Sequence, residues 1–167
     1  GAMDVLQPYI DAGKLVVPSG QMTKDEVATA NWATDAAQAR FENILSSNYA
    51  DGTPLHAVLA SNDSTALGVT NALAANYTND VYPVITGQDC DIANVPNIVN
   101  GKQAMSVFKD TRTLATKVVE MVDAIMTGGE APVNDTETYD NGTGIIPSYL
   151  CEPVAVTADN YKEILID

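Results

Sequence analysis

Two short polar stretches carry the residue types that can grip a neutral, hydroxyl-rich molecule. Ser61-Asn62-Asp63-Ser64 and Gly87-Gln88-Asp89-Cys90-Asp91 each follow an apolar run. Asn62 offers a carbonyl acceptor and an amide donor, while ionised Asp89 only accepts; together they suit vicinal hydroxyls, which both donate and accept. Helix capping is the competing role, with Asp63 or Ser64 capping one helix and Asp89 or Asp91 the next. Trp32, the one tryptophan, lies in a polar stretch ahead of a helix, where its face can stack on an apolar sugar face or close a loop over the core. Lys109, Asp110 and Arg112 follow another apolar run and can reach hydroxyl or carboxylate oxygens, or pair with one another at the surface.

Reagents for other chemistry are missing from the pattern. There is no phosphate loop, nucleophile elbow, calcium loop or His pair at helical spacing, and His56 opens a strand with no acid or nucleophile at suggestive spacing. Cys90 and Cys151 are far apart and match no zinc spacing; one disulfide or two buried thiols are both open. No cofactor or metal is expected. Asn134-Asp135-Thr136 fits a glycosylation pattern that is common by chance, and no function is attached to it.

The elements that must position these residues alternate. Val5, Leu6, Tyr9 and Ile10 recur at helical spacing up to Ala12-Gly13, and Leu15-Val16-Val17 reads as a short strand. Ala37, Phe41, Ile44, Leu45 and Tyr49 mark a helix from Asp35, broken at Asp51-Gly52-Thr53-Pro54. His56 to Ala60 is a strand, Thr65 to Tyr77 a helix of small residues, Tyr82 to Thr86 a strand, Ile92 to Asn100 a short helix, and Ala104 to Phe108 a strand. Leu114, Val118, Met121, Val122, Ile125 and Met126 form the clearest helical stripe, ended at Gly128-Gly129. A polar, turn-rich stretch follows, then extended pieces at 145–150 and 153–156 and a last helix from about Ala158 to Leu165. The order predicts an α/β fold, an open, doubly wound parallel sheet covered by helices on both faces. In such sheets ligands sit beyond the carboxyl ends of the strands, where the loops 19–33, 61–64 and 87–91 converge.

Composition narrows the partners. The 167 residues suffice for about one domain. With 46% hydrophobic and 18% charged residues the chain folds, and 22 acidic against 8 basic residues give a formal charge of -14. That field repels nucleic acid and anionic membrane surfaces and leaves a neutral or cationic small ligand as the better fit. The N-terminus reads as the body of a helix, with no basic region or apolar signal core, so the chain is expected to begin inside a domain.

The chain resembles the sugar-binding proteins of bacterial uptake transporters, the group for xylose, glucose, galactose and related sugars. The resemblance lies in Gly1 to Val17, Ala60-Ser61-Asn62-Asp63-Ser64-Thr65-Ala66, Gly87-Gln88-Asp89, Phe108-Lys109-Asp110-Thr111, and Asn141-Gly142 followed by Ile146-Pro147-Ser148-Tyr149-Leu150. It implies a type I periplasmic-binding-protein lobe, a three-layer α/β/α sandwich, from a two-lobe protein that closes on a monosaccharide and passes it to an ABC permease. Residues 1–108 are then most of the C-terminal lobe, 109–138 the hinge and a helix of the N-terminal lobe, and 139–167 the last crossing and tail. The core of the N-terminal lobe is expected to be missing, and the surface it leaves could drive dimerisation. Trp32 would stack on the sugar, Asn62 and Asp89 would bond its hydroxyls, and Lys109 would contact the ligand or tie the lobes. Gln88, Asp63 and Asp110 would stand behind them, and Arg40 would be a surface partner. The implied location is extracytoplasmic, periplasmic or lipid-anchored on the outer face of the cell membrane, and the implied activity is binding without catalysis. The effector domain of a sugar-responsive transcription regulator and a small α/β carbohydrate enzyme are the alternatives.

Overall fold

A computed structural model describes residues 1–166. The chain divides into two compact units: residues 1–106 with the segment from Thr157 onward, and residues 107–156.

The first unit opens with α1 (Ala2–Asp11), which buries none of its side chains; Val5 and Tyr9 are largely exposed. Gly13, at φ 69, ends it by turning the backbone so that the amides of Lys14 and Leu15 both reach the Tyr9 carbonyl. The expected strand at Leu15-Val16-Val17 does not form. A strand exists only through its ladder, and no strand among the described residues pairs with this segment, so Val16 stays 78% exposed.

Two elements precede the next long helix: α2 (Lys24–Val27) and a 3₁₀ turn, Ala30–Trp32. Thr23 and Glu26 form a capping box on α2, the Thr23 amide donating to the Glu26 carboxylate at 3.0 Å. Thr23-x-x-Glu26 was a readable signal for this helix. The helix α3 (Thr34–Asn48) then buries Ala37, Phe41 and Leu45, three members of the expected stripe.

β1 (Ala57–Val58) and β2 (Val84–Ile85) pair in parallel, Ala57 opposite Val84 and Val58 opposite Ile85. Between them runs α4 (Asp63–Asn76), and Phe41, Leu45, Leu55, Val69, Leu73 and Ile85 form the core beneath. The pairing and the intervening helix are the expected parallel crossover, although the strands are shorter than the apolar runs suggested. Gly68 sets how closely α4 meets α3: a β-carbon there would lie 2.3 Å from the Thr34 carbonyl oxygen and 2.8 Å from Ala37 Cβ. Only a glycine lets the first turns of the two helices lie against each other. Next, α5 (Val95–Val99) is shorter than the expected 92–100 and buries Ile98. Past it, the Ala104 amide bonds the Ile85 carbonyl at 2.8 Å. The last helix, α7 (Tyr161–Leu165), starts later than expected because residues 158–160 form a turn held by Asn160 Oδ1 on the Thr157 amide.

In the second unit β3 (Ser106–Phe108), which begins on the last residue of the first unit, pairs with β4 (Val154–Val156). The helix α6 (Thr111–Met126) is capped by Asp110, and its apolar stripe is not buried: Val118, Val122 and Ile125 are all more than half exposed. The segment after it folds on itself through single antiparallel bridges, Asp135 to Ser148 and Asp140 to Ile145. The extended piece at 145–150 therefore exists as bridges rather than as a strand. No helix among the described residues is long and apolar enough to cross a membrane.

Candidate functional site

The loops after β1 and β2 are fastened together beyond the strand ends. The Thr86 hydroxyl lies 3.1 Å from both the amide and the carbonyl of Ala60, and the Asp63 amide donates to the Gln88 carbonyl at 2.8 Å. Asn62 and Asp89 therefore sit on adjoining loops at the carboxyl ends of parallel strands, where open α/β sheets bind ligands.

Asn62 itself caps α4. Its Oδ1 accepts from the Thr65 amide at 3.0 Å and lies 2.8 Å from the Thr65 hydroxyl. Neither Asp63 nor Ser64 is the cap. With Oδ1 engaged in the cap, the Asn62 atom left over is Nδ2, a donor. The other capping alternative fails: α5 starts at Asn94 without a side-chain cap, so neither Asp89 nor Asp91 serves there.

Asp63 is fully buried beneath the two loops. Its Oδ1 accepts from Gln103 Nε2 and Ser106 Oγ, both at 2.8 Å, and its Oδ2 accepts from the Asp91 amide at 2.8 Å. Asn94 Nδ2 bonds the Asp63 carbonyl and Gln103 Oε1, each at 2.8 Å, and Ser106 Oγ accepts from the Cys90 amide at 3.0 Å. No buried side-chain oxygen or nitrogen among the described residues is left without a partner. Gly87 makes room for the cluster, because a β-carbon there would lie 2.2 Å from both Asp63 Oδ1 and Gln103 Nε2. Gln103, Asn94 and Ser106 were missed by sequence reasoning; a Gln, an Asn and a Ser scattered over a loop, a helix start and a strand carry no local pattern.

The two loops that bear the candidate ligand residues share an unusual backbone. Asp89 and Cys90 have φ of 95° and 53°, and Asn31 and Trp32 have φ of 54° and 56°. Non-glycine residues rarely adopt these values, and such strain gathers at functional sites. Asp89 is exposed, as is Trp32 at 55%. The Trp32 loop is tied down by Arg40 of α3, which donates to Gln21 Oε1 at 2.5 Å, the Glu26 carbonyl at 2.6 Å and the Val27 carbonyl at 3.2 Å. Arg40 is thus a loop clamp rather than a simple surface partner.

Charge in the Asp89 loop is consistently negative. Burial, reinforced by the neighbouring Asp63 and Asp89 carboxylates, raises the Asp91 pKa above the usual carboxylate value. Burial also raises the Cys90 thiol, with Asp63, Asp89 and Asp91 adding to it. Cys90 and Cys151 each stand as a free, half-buried thiol. Gln88 contributes its backbone carbonyl to the loop junction. His56 is exposed ahead of β1 and gives its carbonyl to Val84.

Lys109 and Asp110 belong to the second unit, between β3 and α6, and Lys109 is exposed. Asp110 bonds Arg112 in a fork, Oδ1 to Nε and Oδ2 to Nη2, both at 2.9 Å, and caps α6 through the Arg112 amide. Between Asp110 and Arg112, the surface pairing named as the alternative is what forms. Arg112, first by its hydrogen bond, holds the Asp110 carboxyl below its ordinary value. No group of three or more metal-ligating side chains comes together among the described residues.

An α/β unit with polar loops fastened at the ends of parallel strands is an architecture that suits a small-molecule site. The chain belongs to the periplasmic binding protein domain family, whose description matches residues 1–130. It is 48% identical to the multiple sugar-binding periplasmic protein SbpA of Azospirillum brasilense, all of this chain covering 47% of that protein. It is 36% identical to the D-xylose-binding periplasmic protein of Escherichia coli, 99% of this chain covering 47% of that one. A solved ABC transporter solute-binding protein from Clostridium phytofermentans with bound β-D-glucose is 68% identical and superposes with a TM-score of 0.93 over 99% of this chain and 51% of its own. The chain spans about half the length of the curated relatives it matches.

Proposed function

We propose that this chain is part of a solute-binding protein that captures a monosaccharide, D-glucose foremost, outside the cytoplasm and delivers it to an ABC permease. The observation that carries the reading is the junction of the Asn62 and Asp89 loops at the ends of parallel strands, in a chain 68% identical to a glucose-bound solute-binding protein. Chemically the junction is complementary to a diol: the Asn62 amide donates, the Asp89 carboxylate accepts, and the Trp32 face covers the apolar side of the ring. Charge-assisted bonds to Asp89 supply the larger share of the polar attraction, and closure that expels water strengthens all of them.

The division of the chain at Ser106 supports reading residues 1–108 as most of the C-terminal lobe. Residues 109–138 are then the hinge, with Lys109, and a helix of the N-terminal lobe; residues 139–167 carry the last crossing and tail. The exposed stripe of α6 fits a helix whose cover is the rest of that lobe, with self-association as the outcome in its absence. The names of the relatives, periplasmic in each case, support a location beyond the cytoplasmic membrane, free or lipid-anchored.

Calorimetric titration with D-glucose, D-galactose and D-xylose tests the reading. Saturable heat with at least one sugar is expected, weaker by about tenfold or more than for the two-lobe protein, since half the cleft is absent. No saturable heat with any of the three from the two-lobe protein overturns it.

A further inference from the structure

We propose that Asp63 is a positioning residue: its buried carboxylate holds the Asp89 loop in its left-handed backbone and so sets where the loop meets a ligand, without touching the ligand itself. The inference rests on the sugar-binding reading and adds the element that makes the site rigid.

Four observations converge on Asp63. First, the strained pair Asp89-Cys90 is bracketed by hydrogen bonds that all lead to it. The Gln88 carbonyl before the pair accepts from the Asp63 amide, and the Asp91 amide after it donates to Asp63 Oδ2. Within the pair, the Cys90 amide donates to Ser106 Oγ, whose own proton goes to Asp63 Oδ1. A backbone conformation costing on the order of 1–3 kcal/mol persists only where its surroundings over-determine it, and these three bonds are that over-determination.

Second, Asp63 follows Asn62 directly, so the residue that caps α4 and offers Nδ2 to the ligand shares a peptide bond with the residue that grips the other loop. The spacing between the donor of one loop and the acceptor of the next is therefore fixed through a single side chain. Third, the chemistry is specific to a carboxylate. Oδ1 receives two donors and Oδ2 receives one, so an amide at this position would set an NH2 group against at least one N–H or O–H donor. Fourth, glycine at position 87 is what lets the carboxylate and Gln103 approach the loop backbone. The arrangement explains why a charged group is kept at 0% exposure, with Asn94, Gln103 and Ser106 buried around it.

The test compares Asp63→Asn with Leu73→Ala, a core truncation that lowers stability without touching the loops, and reads amide hydrogen exchange and calorimetric D-glucose affinity in each. Asp63→Asn is expected to speed exchange at the Cys90 and Asp91 amides by about tenfold or more and to weaken glucose binding by about tenfold, the scale of one lost charged hydrogen bond. Leu73→Ala is expected to lower the melting temperature at least as far while leaving glucose affinity within about threefold. Ser106→Ala, which removes the Cys90 partner and one of the two donors to Asp63 Oδ1, gives a second variant with a smaller loss in the same direction should Asp63→Asn not fold.

Unchanged exchange at Cys90 and Asp91 in a folded variant overturns the hold on the loop, whatever the sugar result. Glucose affinity that falls no further in Asp63→Asn than in Leu73→Ala overturns the positioning role. A two-lobe protein that binds none of D-glucose, D-galactose and D-xylose, while Asp63→Asn still frees the two amides, overturns the sugar-binding reading and with it the ligand consequence drawn for Asp63.

Discussion

The loop junction around Asp63 and the helix α6 solve the problem of polarity in opposite ways. At the junction, a carboxylate, two amides and a hydroxyl are removed from water and every one is paired. On α6 the apolar residues that sequence periodicity marks most clearly stand exposed, with Val122 at 53% and Ile125 at 65%, while its polar start is tied up locally by Asp110 and Arg112. The junction is complete within its own unit. The stripe is left uncovered within its own unit, in a chain that spans about half the length of the curated relatives it matches. An amphipathic pattern therefore announces that a face will be covered, not what covers it.

The comparison breaks first at Gly87. Gly87→Ala drives a methyl into Asp63 and Gln103, so the chain is expected to lose about 4 kcal/mol from overpacking plus broken buried hydrogen bonds. Urea denaturation reads the loss, and a variant as stable as the parent contradicts the packing at the junction. On the other side of the comparison, Val122→Ser is expected to cost less than about 0.5 kcal/mol, because the side chain gives up little burial. A loss of several times that in the same denaturation would mean that the stripe is already covered, for instance in a dimer that sedimentation would reveal.

The smallest effect is electrostatic. The Asp110 pKa is lowered in the folded chain by Arg112, so its contribution to stability is present above the unfolded value near 3.8 and is lost as pH falls through the folded value. Asp110→Asn should therefore narrow its stability gap from the parent as the pH drops below that range, and a gap that stays constant with pH contradicts the pairing.

Much of this was legible in the chain. Helical periodicity located α3 and α6, a run of small residues after a cap signal located α4, and the polar punctuation after apolar runs located the loops that carry Asn62 and Asp89, because these signals are local. Leu15-Val16-Val17 misled for a physical reason: strand propensity describes fitness for a ladder, and no ladder partner stands beside it. The T-x-x-E start of α2 was local and available. The Asp63 cluster was not, since it joins residues 28 to 43 positions away through side chains with no shared period. Asn62 shows the boundary well: the cap was expected from Asp63 or Ser64, and only the hydrogen bond from the Thr65 amide shows that Asn62 Oδ1 does the capping.

Trp32 offers the most direct test of the central claim that these loops grip a sugar. It is the one tryptophan in the chain and 55% exposed, so stacking on a sugar would remove much of its solvent contact and shift its fluorescence. Titration with D-glucose is predicted to give a saturable blue shift that moves to about tenfold higher sugar concentration in Asp89→Ala. Emission unchanged by glucose, or a shift of equal midpoint in parent and variant, would contradict the account.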